Sequence, residues 1–237
     1  MRFVAAMTTH IAEQLTEIIT CIRTAAEKAG RSPDEVKLIA VSKTFPPEAI
    51  AAAYACGQFR FGENRLQELE EKVKKLPETI EWHLIGHLQS NKAQRAVQLA
   101  TYIHSVDSEK LLRRLDRLAM EAGKKPKILL EINISGEESK FGTTESDAVK
   151  LVQVALTCEH LELAGLMTMA PYEAPETALH NIFGGLRRLR DYLENHLQIK
   201  LPELSMGMSS DFEIAIQEGA TFVRVGTAIF GKRTYNL

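Results

Sequence analysis

Cysteine is scarce in this chain. Cys21, Cys56 and Cys158 stand far apart, with no CxxC spacing and no histidine pair beside them. That excludes a disulfide framework and a cysteine-held zinc site, and it fits a reducing, cytoplasmic compartment. Long apolar runs are missing too, and no stretch approaches the length that spans a bilayer. The opening Met-Arg-Phe-Val-Ala-Ala-Met carries one positive charge but too short an apolar run for a signal peptide. Charge of one sign is also lacking: a formal net charge of −2 gives no electrostatic reason to expect nucleic acid or an anionic membrane as partner. Finally, no linker or shift in composition divides the 237 residues, so a single domain over 1–237 is expected.

What is present is an ordinary globular balance, 45% hydrophobic and 25% charged, in a regular alternation of helix and strand. Residues 8–29 place Ile11, Leu15, Ile18, Ile19, Ile22 and Ala26 on one helical face, with Gly30 as C-cap. Strands are expected around 37–42, 58–62, 81–86, 102–106, 127–134, 161–169, 203–206 and 222–225, each followed by a helical pattern. Eight strands in a chain near the usual ~250 residues predict an α/β fold, a single (β/α)8 TIM-type barrel preceded by an N-terminal helix. A doubly wound open sheet is the alternative. It would need a phosphate-binding glycine turn after the first strand, and Ser42-Lys43-Thr44 is not one.

In such barrels the active groups emerge at the C-terminal ends of the strands, where Lys43 stands. A partly desolvated lysine there has a lowered pKa and can condense with a carbonyl; the plainer alternative is a lysine that snorkels at a strand end. The turns after the last two strands, Met206-Gly207-Met208-Ser209-Ser210-Asp211 and Val225-Gly226-Thr227, supply glycines, hydroxyls and fresh helix starts. That suits a phosphate, approached closely by backbone N–H groups at Gly226, where a positive φ would also be admissible. A lysine facing a phosphate cradle describes pyridoxal 5′-phosphate (PLP). Strand alternation turns Phe222 and Arg224 inward and Val223 and Val225 outward. Arg224 then either faces a pyridine nitrogen, which it would keep unprotonated, or pairs with a strand carboxylate such as Glu131.

Ala-Val-Ser-Lys-Thr (40–44), Phe-Gly-Glu-Asn-Arg (61–65), Trp-His-Leu-Ile-Gly-His-Leu-Gln-Ser-Asn-Lys (82–92), Gly-Leu-Met-Thr-Met-Ala (165–170), Leu-Ser-Met-Gly-Met-Ser-Ser-Asp (204–211) and Val-Arg-Val-Gly-Thr-Ala-Ile-Phe-Gly (223–231) recur in order along the chain. Together they resemble the pyridoxal phosphate homeostasis proteins, single-domain relatives of the alanine racemase barrel. The resemblance implies a fold-type-III PLP-binding barrel without a C-terminal β-domain, with residues 1–7 a disordered extension and Met7 an alternative start. It implies PLP held covalently as a Schiff base on Lys43, ring contacts from Asn64 and Arg224, and phosphate contacts from Ser209, Ser210, Gly226 and Thr227. It further implies a monomeric carrier that buffers PLP, hands it transiently to PLP-dependent apo-enzymes and influences amino-acid and keto-acid balance, with no catalytic residues of its own.

The competing reading is a PLP-dependent amino-acid racemase or lyase, which needs acid/base groups on both faces of the bound substrate. None of the five tyrosines is placed at the barrel mouth by the sequence, which favours the carrier. A Schiff-base aldolase, colourless without cofactor, is a third option. His83 and His87 read as structural or solvent-facing rather than cofactor contacts. The alternating charges of Glu68 to Lys75 read as a solvated helix face, and Met167, Met169, Met206 and Met208 as filling near the barrel mouth.

Overall fold

The apolar run Leu38-Ile39-Ala40-Val41 is buried on both faces, as a strand of a parallel sheet covered by helices must be. It belongs to β1 (Lys37–Val41), followed by β2 (Arg60–Glu63), β3 (Glu81–Leu84), β4 (Tyr102–Val106), β5 (Lys127–Glu131), β6 (Glu162–Met167), β7 (Glu203–Met208) and β8 (Phe222–Val225). The computed structural model describes residues 2–137 and 140–231. Each strand pairs in parallel with the next, and β8 returns to β1 to close the barrel. The helices are α1 (Arg2–Lys28), α2 (Pro47–Ala55), α3 (Leu66–Val73), α4 (Ala93–Leu99), α5 (Glu109–Ala122), α6 (Glu145–Leu156), α7 (Glu176–Leu197), α8 (Phe212–Gln217) and α9 (Thr227–Phe230). The expected (β/α)8 barrel with its N-terminal helix is therefore the fold.

Two details differ from the sequence reading. The first helix begins at Arg2, so residues 2–7, expected as a disordered extension, continue α1, while Met1 lies outside the described residues. Ile19 is 46% exposed although its neighbours Ile18 and Ile22 are buried, because the apolar stripe of α1 is narrower than the periodicity implies.

Strand alternation builds two cores. Ile39, Tyr102, Leu129, Ala164, Met167 and Phe222 point into the barrel, whereas Leu38, Ala40, Ile103, Ile128, Leu130 and Val223 pack outward against the helices. At the N-terminal ends of the strands the barrel is plugged by opposite charges. Lys37 pairs with Glu203, Arg60 with Glu81 at 3.0 Å and Lys127 with Glu162 at 3.5 Å. Among the described residues no helix is long and apolar enough to cross a membrane. The opposite rim is left for loops, and those after β1, β2, β7 and β8 assemble the site.

Candidate functional site

Three adjacent strands bring Lys43, Arg224 and the two glycine turns to one sector of the rim. The register Ala40 to Val225 sets Val41 beside Gly226, and Met208 is paired with Arg224, so the loops after β1, β8 and β7 share one sector of the rim. Lys43 is half-buried, just past β1, in a turn closed by the Phe45 N–H donating to the Ser42 carbonyl at 3.0 Å. Thr44 follows at φ +71°, a region that a β-branched residue enters only under constraint. The constraint is visible: the Thr44 N–H donates to Glu68 Oε2 at 2.7 Å.

Beneath that turn lies a buried ionic knot. Ser42 Oγ donates to Glu63 Oε1 at 2.6 Å, and Lys72 Nζ donates to the same oxygen at 2.6 Å and to the Ser42 carbonyl at 2.8 Å. Glu63 is fully buried and Lys72 is 5% exposed. Burial pushes the Glu63 carboxyl above its ordinary pKa, against the pull of Lys72 and Ser42, and its Oε2 has no hydrogen-bond partner among the described residues. The sequence reading of Glu68 to Lys75 as a solvated face is thus wrong at Lys72. The lysine points inward because Glu63, on the outer side of β2, needs a counter-charge under α3. The knot anchors the Lys43 turn to β2 and α3, which gives the amine a rigid base.

The turn after β7 depends on Gly207, at φ +89°, where a Cβ would lie 2.6 Å from the Ala215 side chain. Asp211 Oδ1 accepts the Met208 N–H at 2.5 Å and closes that turn. The Gly226 N–H donates to Ser209 Oγ at 3.3 Å, tying the β8 turn to the β7 turn. Gly226 itself sits at φ −121°, so positive φ is not its reason for being glycine. The reason is proximity: a Cβ there would meet the Val41 carbonyl oxygen at 3.0 Å. Ser209 and Gly226 are half-buried, while Ser210 and Thr227 are exposed.

Arg224 turns into the barrel, as strand alternation predicts, and is only 5% exposed. Its Nη1 donates to Ser205 Oγ at 2.6 Å and its Nη2 to the Thr168 carbonyl at 3.1 Å. No carboxylate among the described residues is within ion-pairing distance, so the alternative of an Arg224–Glu131 pair does not hold. Burial lowers the guanidinium to about 10, with Asp211 and Glu131 opposing from further away, and it stays charged at physiological pH. A buried cation without a carboxylate on it has donors to offer a ligand.

Glu131 shows the complementary effect, raised to about 7 by burial and by Asp107, with Arg224 acting the other way. The folded state then keeps a proton that the unfolded chain releases from its ordinary 4.5 upward. Stability should fall as pH rises through that window, by on the order of 3 kcal/mol. Glu131→Gln should abolish that part of the fall. Urea midpoints at about pH 5 and pH 8 check this, and an equal decline in both proteins would contradict it.

Asn64 is half-buried directly after β2, and a Cβ on Gly86 would sit 2.4 Å from its carbonyl oxygen, so the loop after β3 clamps it from one side. His87 is partly exposed and stacks on Phe141 at 4.0 Å, as a solvent-facing residue would. His83 is instead fully buried inside the barrel, beside His104, Ser205 and Tyr102, which the sequence reading did not connect. Period-two alternation along β3, β4 and β7 was the signal that could have found them. Met167 and Met206 are core as expected, but Met169 is 39% exposed on the rim. Among the described residues no group of three His, Cys, Asp or Glu side chains could hold a metal ion.

The chain matches the family described as alanine racemase, N-terminal domain, over residues 14–234. A pyridoxal phosphate homeostasis protein of Aquifex aeolicus is 42% identical over 225 residues, covering 94% of this chain and 98% of that protein. One of Pseudomonas aeruginosa is 43% identical over 227 residues, covering 95% and 96%. Among solved structures, PipY of Synechococcus elongatus with PLP bound superposes with a TM-score of 0.81 at 40% identity, covering 93% of this chain and 100% of PipY.

Proposed function

The chain belongs to the pyridoxal phosphate homeostasis proteins, and from that premise we propose that it stores PLP on Lys43 and hands it on inside the cell. The observation that carries the reading is the convergence, at the ends of three adjacent strands, of a half-buried lysine, a buried arginine without a carboxylate partner and two tied glycine turns. PLP supplies an aldehyde that an amine can hold as a Schiff base, and a ring able to withdraw electrons. Lys43 provides the amine. Ser209, Ser210, Gly226 and Thr227 hold the phosphate through hydroxyl and backbone donors, while Asn64 and Arg224 bound the ring. A permanent cation at the ring nitrogen disfavours its protonation and keeps the ring a weak electron sink. That suits storage better than turnover.

Ser210 and Thr227 are exposed and Lys43 is half-buried, which supports a cofactor open to exchange. On this proposal the protein acts as a cytoplasmic monomer that meets PLP-dependent apo-enzymes transiently. The relatives are named homeostasis proteins rather than enzymes, although this chain matches the N-terminal domain family of alanine racemase. The test mixes the PLP-loaded protein with a PLP-dependent apo-enzyme and follows its reactivation. Transfer should be fast relative to exchange from an alanine racemase holoenzyme. Sustained conversion of any D- or L-amino acid by the protein alone, lost in Lys43→Ala, would replace storage by a racemase or lyase activity.

A further inference from the structure

A run of hydrogen bonds crosses the barrel from its base to Arg224. Glu81 Oε1, at the start of β3, lies 3.0 Å from His83 Nε2; His83 Nδ1 lies 2.9 Å from His104 Nε2; His104 Nδ1 lies 3.0 Å from Ser205 Oγ; and Ser205 Oγ accepts from Arg224 Nη1 at 2.6 Å. His83, His104 and Ser205 are fully buried.

The ends of this run fix every proton between them. An ionised Glu81 only accepts, so His83 carries its proton on Nε2 and offers a bare Nδ1. His104 must then donate from Nε2 and accept at Nδ1, and the proton it accepts comes from Ser205. The serine oxygen is left with lone pairs only, which it turns to a guanidinium that can do nothing but donate. A second proton on His83 would set its Nδ1–H against the His104 Nε2–H across 2.9 Å, and one on His104 would turn its Nδ1 from acceptor to donor toward Ser205 Oγ and reverse that link of the run. Burial disfavours the charged form of both rings in any case, and for His104 the neighbouring His83 and Arg224 add to it. The other charged groups that His83 senses are Glu81, Arg60 and Glu203. Tyr102 lies flat on His83 at 4.7 Å and Phe222 meets it edge-on at 5.2 Å, which holds the ring with Nε2 toward Glu81 and Nδ1 toward His104.

We infer that Glu81, His83, His104 and Ser205 are positioning residues for Arg224, a one-directional hydrogen-bond chain that aims its guanidinium at the cofactor ring. Apolar side chains fill the adjacent interior positions Ile39, Leu129 and Met167, so filling space does not require two imidazoles and a hydroxyl. A defined acceptor behind the guanidinium does. Arg224 has five N–H donors; with one on Ser205 and one on the Thr168 carbonyl its plane is set, and the rest serve the ligand side. The inference rests on the reading that the PLP ring lies against Arg224.

The experiment has one arm without cofactor and one with it. In the ligand-free protein labelled with 15N-histidine, NMR should report His83 and His104 as neutral Nε2–H tautomers from about pH 5 to pH 8. An imidazolium or an Nδ1–H tautomer at either position overturns the chain. With PLP, Ser205→Ala should weaken binding about tenfold and shift the visible absorbance band and its pH profile. Glu81→Met, at the far end of the barrel, should move the same readouts in the same direction, and Glu81→Gln should restore them because an amide oxygen still accepts from His83. Wild-type affinity, band and pH profile in both Ser205→Ala and Glu81→Met overturn the positioning role. Should Ser205→Ala fail to fold, the Glu81 pair and the tautomer spectra decide the matter. A wild type that forms no such band fails the PLP reading and takes the positioning role with it, while the spectra of the ligand-free protein still judge the chain itself.

Discussion

Replacing Lys72 with Met will destabilise the folded protein by about 3–5 kcal/mol at neutral pH, because it strands the fully buried Glu63 carboxylate. Ser42 would be the remaining donor on that carboxylate, since its Oε2 already lacks a partner among the described residues. The variant has a route to partial recovery. Without Lys72 only the Ser42 hydrogen bond opposes burial at Glu63, its pKa rises further, and the loss shrinks as pH falls and the carboxyl takes up a proton. The double variant Glu63→Gln/Lys72→Met, which buries no charge, should regain much of the loss at every pH. Urea unfolding between about pH 5 and pH 8 separates these outcomes. A Lys72→Met protein as stable as wild type at neutral pH would mean that Glu63 is already neutral and the knot contributes nothing. Because Lys72 also binds the Ser42 carbonyl, the single variant should in addition loosen the turn that carries Lys43 and lower PLP affinity.

Gly226→Val is expected to have the largest effect on ligand binding. The new Cβ would meet the Val41 carbonyl oxygen at 3.0 Å and the Val41 Cβ at 3.3 Å, contacts that push β8 from β1 at the point where both strands deliver their site residues. On the proposed function, the added methyl groups would fill the space where backbone N–H groups would reach the phosphate. Charge-assisted hydrogen bonds contribute about 1.5–3 kcal/mol each, so losing two of them weakens PLP binding by about a hundredfold or more. Gly226→Ala, with the same Cβ but no branches, should fall between the two. Equilibrium titration followed by the visible band measures this, with inorganic phosphate as competitor. Unchanged affinity in Gly226→Val would remove this turn from the phosphate site.

The barrel was legible because its signals are local. Runs such as Lys127–Glu131 and Phe222–Val225 are short and largely apolar, which reads as buried strand, and their alternation with amphipathic helices fixes the architecture. Arg224 could be turned inward by counting along its own strand. What escaped depends on contacts between strands. His83 and His104 are 21 positions apart, and His104 and Ser205 are 101 apart, so no pattern along the chain joins them; only the closed order of strands does. Lys72 was misread for a related reason. Its spacing, three residues past Leu69 and six past Leu66, lies on the buried face of α3, but its charge reads as a surface mark, and the carboxylate that draws it inward sits on another element. At Gly226 the sequence also suggested a positive φ, which its φ of −121° does not need, whereas the close approach by Val41 leaves no mark in the sequence around it.

The central claim is that Lys43 is the amine that holds PLP, and one measurement addresses it directly. The PLP-loaded protein is reduced with borohydride, digested, and the pyridoxyl group located by mass spectrometry. The label should fall on the peptide containing Lys43 at near-full occupancy and vanish in Lys43→Ala, which should still bind PLP weakly and without a covalent bond through the separate phosphate turns. A label fixed on another lysine in the wild type, or an unchanged absorbance band in Lys43→Ala, would contradict the account.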